Sequence, residues 1–313
     1  MRRRALLKGG LFGGIATAAG LGMQPAAADG HGGKTAFVLV HGSWHGGWCW
    51  GLVTPHLAQA GHLSMPIDLP GHGLNARLPA SFLTRPLDPA AFATEPSFIA
   101  GIPTEAYADA VLEAAATARA AGAERVILVG HSMGGVPVTF AAAKDPAAVD
   151  GLAYLTAVVA TPGKPGGHYI SLPEQSEKSR LGAIVMADPA TIGAIRIDPR
   201  SADPAYLAAA RDALAADVEE GLLASVMHLL TPDAPAAMYG ELPEFSDAYA
   251  AIPRAFLRCD ADRTLIPATR DVEIAEMDAA FGNATRVYRL ASSHEAMFAA
   301  PQAVAEALVD FAG

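Results

Sequence analysis

The sequence predicts an α/β fold: a mostly parallel central sheet, helices on both faces and an inserted helical cap. Three observations predict it. Short unbroken apolar runs recur along the chain, as in AFVLV at 36–40, RVILV at 125–129 and RAFLRC at 254–259. Such runs are the mark of strands buried on both faces. Segments of helical spacing lie between them, and that alternation implies βαβ units. One long block, 161–250, breaks the alternation; it is punctuated by Pro and Gly and then turns helical.

Taken in order, the first strand, Ala36–Val40, runs into His41-Gly42. Trp48 to Ala60 is helix-like and stops at Gly61, a C-cap residue. His62 to Ile67 is the second strand. Residues 74–103 are rich in Pro and Ala without a sustained period and read as a long ordered excursion. A helix over Glu105–Ala121 leads to the RVILV strand, and a second helix follows from Val136 to Lys144. Gly151–Thr156 is the next strand. Within the cap, Tyr206–Leu230 is helical in pattern. Strands return at Arg254–Cys259 and Arg286–Leu290, each followed by a helix, near Arg270–Phe281 and Gln302–Phe311.

Composition bounds the function. With 313 residues, 51% apolar and 17% charged, the chain can bury a substantial core in one large domain or two small ones. A net charge of −10 excludes a nucleic-acid binder, which needs a basic patch for phosphates. The two cysteines, Cys49 and Cys259, are too few for a disulfide framework or a Cys-rich zinc site and read as free buried thiols. Residues 1–28 carry Arg2, Arg3, Arg4 and Lys8, a soft Gly/Ala/Leu run and Ala26-Ala27-Ala28. This is the pattern of a secretory signal of the twin-arginine type. The expectation is export to the periplasm or medium, a mature domain over 29–313 with its cap at about 161–250, and no stable membrane association after cleavage.

The chemistry is carried by Gly130-His131-Ser132-Met133-Gly134, directly after a strand and before a helix. A chain that reverses this sharply exposes the serine hydroxyl, and glycines two before and two after make room for it. The N–H of Met133, at the helix start, is placed to stabilise an oxyanion. A nucleophilic serine needs a base and an orienting acid. His294, in the loop after Arg286–Leu290, is the only histidine downstream of His228. The acid belongs after RAFLRC, where Asp262 and Asp260 both qualify. Asp262 is favoured because it lies past the strand end, ahead of Ile266-Pro267. The loop after the first strand, His41 to Trp48, is Gly-rich, and the N–H of Ser43 is its natural second oxyanion donor. His41 and His45 lack the helix and the acidic partners that a metal pair needs, so no metal is expected. His131 reads as a packing and hydrogen-bonding residue. Trp44, Met227 and Tyr239 are the expected substrate-binding residues, within an apolar cap that also offers Val226, Leu229, Leu230 and Met238.

The segments FVLVHGSWHGGWCW (37–50), IDLPGHG (67–73), VGHSMGG (129–135), CDADRTLIP (259–267) and SSHEAM (292–297) together resemble the α/β-hydrolase superfamily. Within it they are similar to the branch of plant methyl-ester esterases and hydroxynitrile lyases. The resemblance covers about 36–313. It implies Ser132 as nucleophile, His294 as base, Asp262 as acid, and Ser43 and Met133 as oxyanion donors. Lyases of that branch carry a threonine after the first-loop histidine and a lysine after the catalytic histidine. Gly42 and Glu295 stand there instead, and a glutamate opposes departing cyanide. The expected function is a cofactor-free serine esterase acting on small to medium apolar esters. A lyase or C–C bond hydrolase on the same triad, or a ligand-binding protein on the same fold, are the alternatives.

Overall fold

The computed structural model describes residues 34–313, so the expected signal at 1–28 lies outside the described residues. Eight strands are present among these residues: β1 (Thr35–Val40), β2 (Leu63–Ile67), β3 (Arg125–His131), β4 (Gly151–Leu155), β5 (Ala194–Arg196), β6 (Asp233–Pro235), β7 (Arg254–Cys259) and β8 (Arg286–Leu290). Six form one sheet in the order β2-β1-β3-β4-β7-β8. Every pair in it is parallel. The unbroken apolar runs are the inner strands, and β1 and β4 are buried throughout. The edges read differently. Pro66 sits in β2, where a missing N–H costs no ladder bond on the outer side. Arg286 and Arg289 stand exposed on β8 and discourage pairing with another chain.

The strand order places the site. β1 lies between β2 and β3, so the chain leaves β1 in one direction and later returns on the other side. Such a switch point opens a crevice at the carboxyl ends of the strands. The loop after β1 and the Ser132 turn after β3 therefore face each other there.

Two expected helices are broken. Trp48–Ala60 is a short 3-10 turn, Gly47–Trp50, followed by the helix Thr54–Gln59; Gly61 then takes the left-handed φ of 83° that ends it. Tyr206–Leu230 is two helices, Pro204–Leu214 and Glu220–Leu229, capped by Asp203 and Glu219. Those two carboxylates are the start signals that divide the run.

The segment 161–250 contains short helices and one antiparallel pair, β5–β6, which hydropathy alone does not reveal. In that pair Arg196 lies opposite Asp233, and the two form a buried ion pair at 2.6 Å. Arg196 also donates to the carbonyls of Phe92 and Glu95, and the Ser97 hydroxyl donates to Asp233. The 74–103 excursion is thus tied to the cap. Its own short helices, Ala80–Leu83 and Pro89–Thr94, bring Phe82 and Phe92 into a buried stack. Among the described residues, no helix is long and apolar enough to cross a membrane.

Candidate active site

Ser132 has a φ of 53° and stands between β3 and the helix Gly135–Lys144. A left-handed conformation costs a non-glycine residue about 1–2 kcal/mol, and the neighbouring glycines explain how the turn survives. A Cβ on Gly130 would lie 2.6 Å from the Gly134 carbonyl oxygen, and one on Gly134 would lie 2.5 Å from that of His41. The Val158 N–H donates to the Ser132 carbonyl at 3.0 Å and pins the turn from the neighbouring strand's loop.

From that turn a hydrogen-bonded chain runs inward. Ser132 Oγ is 2.9 Å from His294 Nε2, and His294 Nδ1 is 2.7 Å from Asp262 Oδ2. These three residues come from loops after β3, β8 and β7, and each is less than a tenth exposed. Asp262 is fully satisfied. Its Oδ2 also accepts from the Thr156 hydroxyl at 2.5 Å, and its Oδ1 accepts from the N–H groups of Thr264 and Leu265 at 2.7 and 2.9 Å. A carboxylate held this way is fixed in one orientation. Asp260 is elsewhere: it is exposed and paired with Arg258 and Arg289. Burial works against a charge on His294, but the adjacent Asp262 outweighs it and raises the imidazole pKa above the ordinary value.

The loop after β1 forms the facing wall. His41 is fully buried; its Nδ1–H donates to the Gly42 carbonyl and its Nε2 accepts from the Leu69 N–H. Burial first, and the nearby His72 next, hold it neutral well below the usual histidine range. These two bonds lock the loop. Asp68, in the IDLPGHG segment, accepts from the N–H groups of Gly47 and Leu74 and closes the far end of the loop. Ser43 and Met133 flank Ser132, Met133 in the first turn of a helical segment, where N–H groups lack an intrahelical partner.

Trp44, with a φ of 65°, is latched to the cap: its Nε1–H donates to the Ile195 carbonyl, and its own carbonyl accepts from Thr231. Tyr239 comes down from the cap and lines the same cavity as Ser43. Ser132, Trp44 and Thr156 are the three non-glycine residues with positive φ among those described, and all three belong to the site or its support. Such clustering is a mark of functional geometry.

Ser43, Trp44, Ser132, Tyr239 and His294 line a cavity of about 300 Å³, whose walls are mostly apolar and include Val158, Ile170, Leu181, Val185, Ile195 and Leu265. Met227, expected here, is not part of it. It lies on a separate cavity lined by both cap helices, with Leu207 and Arg211. Of the six apolar cap residues singled out from sequence, Tyr239 alone lines the cavity with Ser132. Thr156, Asp68 and Asp217 were not among the expected site residues. Asp217 accepts from the Ser293 N–H at 2.9 Å and so holds the histidine loop from the cap. Asp68 was within reach of the IDLPGHG motif; no sequence signal marks the other two. Cys49 and Cys259 are free and buried, and burial pushes both thiols up.

The sequence matches the profile described as the alpha/beta hydrolase family over residues 37–307. The chain belongs to that family. Among curated proteins it is similar to methylesterase 9 of Arabidopsis thaliana, 25% identical over 233 residues that cover 72% of this chain and 80% of the relative. It is also similar to a pyrethroid hydrolase of Sphingobium wenxiniae, 27% identical over 279 residues, covering 89% and 88%. Among solved structures, a pyrethroid hydrolase from Sphingobium faniae superposes with a TM-score of 0.67 at 24% identity, over 89% of this chain and 97% of that one. At that identity the superposition speaks for the α/β-hydrolase fold alone.

Proposed function

We propose that this protein is a serine hydrolase that cleaves carboxylic esters of small to medium apolar compounds through an acyl-enzyme. The observation that carries the reading is the continuous Ser132–His294–Asp262 chain, with links of 2.9 and 2.7 Å, whose Ser132 and His294 open on a mostly apolar cavity. The relatives named esterase and hydrolase support the same class.

In this reading Ser132 Oγ attacks the ester carbonyl as His294 Nε2 takes its proton. Asp262 keeps the other imidazole proton on Nδ1 and stabilises the imidazolium. The N–H groups of Ser43 and Met133 receive the developing oxyanion, and their value depends on being fixed in place before the reaction. His294 then protonates the leaving alcohol, and water cleaves the acyl-enzyme by the same path. The apolar walls favour apolar acyl or alcohol groups, and 300 Å³ sets the size class.

The test is a fluorophosphonate label together with a chain-length series of p-nitrophenyl esters. Label on Ser132 and release of acid plus alcohol are expected. A protein that takes no label, or that yields a carbonyl compound by C–C cleavage, overturns the reading.

A further inference from the structure

The cavity holds more polar groups than Ser132 and His294. Glu295, His45 and His131 line it too, all buried, and the described residues that line it include neither Lys nor Arg. Glu295 Oε2, His45 Nε2 and His131 Nδ1 are buried atoms without a hydrogen-bond partner. Their partnered nitrogens show which electron pairs are open. His45 Nδ1 lies 2.7 Å from the Ser43 carbonyl and His131 Nε2 lies 3.1 Å from the His294 carbonyl, so both of those nitrogens carry the proton. In the neutral rings, His45 Nε2 and His131 Nδ1 are therefore acceptors, as is the carboxylate. Gly42 packs closely against His131 Nδ1, where a Cβ would lie 2.7 Å away.

Acceptors that converge in a buried pocket call for a cation. His45 Nε2 is 3.4 Å from Glu295 Oε2. Ligand atoms of His131, His294 and Glu295 lie within 4.8 Å of one another. Tetrahedral zinc with Zn–N and Zn–O bonds near 2 Å spaces its ligands about 3.3 Å apart, so a modest swing of the Glu295 side chain gathers the set. Because His294 Nδ1 is committed to Asp262, the nitrogen it offers is Nε2. Metal-bound histidines characteristically donate their other N–H to a carboxylate or a backbone carbonyl. His294 and His131 already do both.

We propose that Glu295, His131 and His294, with His45 in reach of the carboxylate, capture a divalent transition-metal ion such as Zn²⁺ and that capture blocks hydrolysis by taking His294 Nε2 from Ser132. The binding half stands on geometry alone; the inhibition half rests on the serine-hydrolase reading.

The test is titration of zinc chloride into the full-length Ser132→Ala protein by calorimetry, in parallel with Ser132→Ala/Glu295→Gln. One zinc per chain is expected, weakened by more than about tenfold in the Glu295→Gln protein. With wild type and Glu295→Gln, zinc inhibition of p-nitrophenyl ester hydrolysis is read against each protein's own zinc-free rate and should weaken in step. Chelator restores the wild-type rate. Absence of zinc binding, or equal binding with and without the Glu295 carboxylate, overturns the site and leaves His45–Glu295 as a proton-sharing pair. Zinc binding by a protein without esterase activity would instead leave the site standing and remove the functional reading.

Discussion

The carboxyl edge of the central sheet and the cap above it are built by different means. At the sheet edge the chemistry hangs on short local motifs. Each follows a strand directly, and each side chain is fixed by bonds of 2.5–2.9 Å to a partner from another loop. The cap has no such local grammar. Its short helices and its two three-residue strands are held by contacts to distant chain, above all Arg196 to Asp233, Phe92 and Glu95. Reaction type is therefore written locally and substrate choice is written through tertiary contact.

The sharpest way to break this comparison is at the sheet edge. Ser132→Ala and His294→Ala should each lower kcat by about 10⁶, with the double variant little worse than either, because members of a triad act as a unit. Losses that multiply in the double variant would show two independent residues. Asp262→Asn should cost about 10⁴ in kcat by favouring the wrong imidazole tautomer. Asp260→Asn, which disturbs an exposed pair with Arg258 and Arg289, should stay near wild type. The reverse ranking would refute the assigned acid. The pH profile bears on the same pair. His294 must be neutral to act as base, and Asp262 raises its pKa, so kcat/KM should fall on the acid side with an apparent pKa above about 6.5. The stability linkage has the opposite sign. A histidine whose pKa is raised by folding contributes stability that is fully present below the unfolded value and is lost as pH rises through the folded one. Asp262→Asn should abolish both shifts.

These residues show why the sheet edge was legible. G-x-S-x-G after RVILV and a single late histidine leave few alternatives, and the position of Asp262 past the strand end distinguishes it from Asp260. Thr156 was invisible because its role depends on a bond to a residue 106 positions away. Asp217 was invisible for the same reason, with its partner Ser293 76 positions away. In the cap the sequence displays helical spacing, but an apolar helix face does not say which neighbour it meets. That is how Met227 came to be expected beside Ser132 when it lines a different cavity.

The cap's own weak point is its buried ion pair. Arg196→Met leaves Asp233 buried and uncompensated and should cost about 3–5 kcal/mol, read as a lower urea midpoint. Replacing both residues by apolar ones should be milder than replacing Arg196 alone. If the single variant were as stable as wild type, the tie between the cap and the 74–103 excursion would not be what organises this region.

The smallest expected effect sharpens the comparison most, because it separates lining from mere burial. Leu181 lines the cavity with Ser132, and Met227 does not. Trimming a side chain in a pocket adds room for one or two methylenes, each worth about 1–3 kcal/mol of discrimination. Leu181→Ala should therefore move the preferred p-nitrophenyl ester toward longer acyl chains, changing the long-to-short ratio of kcat/KM by about tenfold. Met227→Ala removes comparable apolar volume from a site that is 6% exposed. It should cost stability, about 2–5 kcal/mol for a buried deletion, yet leave the chain-length ratio unmoved. The ratio is the informative readout, since a variant that is merely less stable lowers all rates together. If Met227→Ala shifts the ratio and Leu181→Ala does not, the substrate sits between the cap helices, and the cavity beside Ser132 is not where the chain-length choice is made.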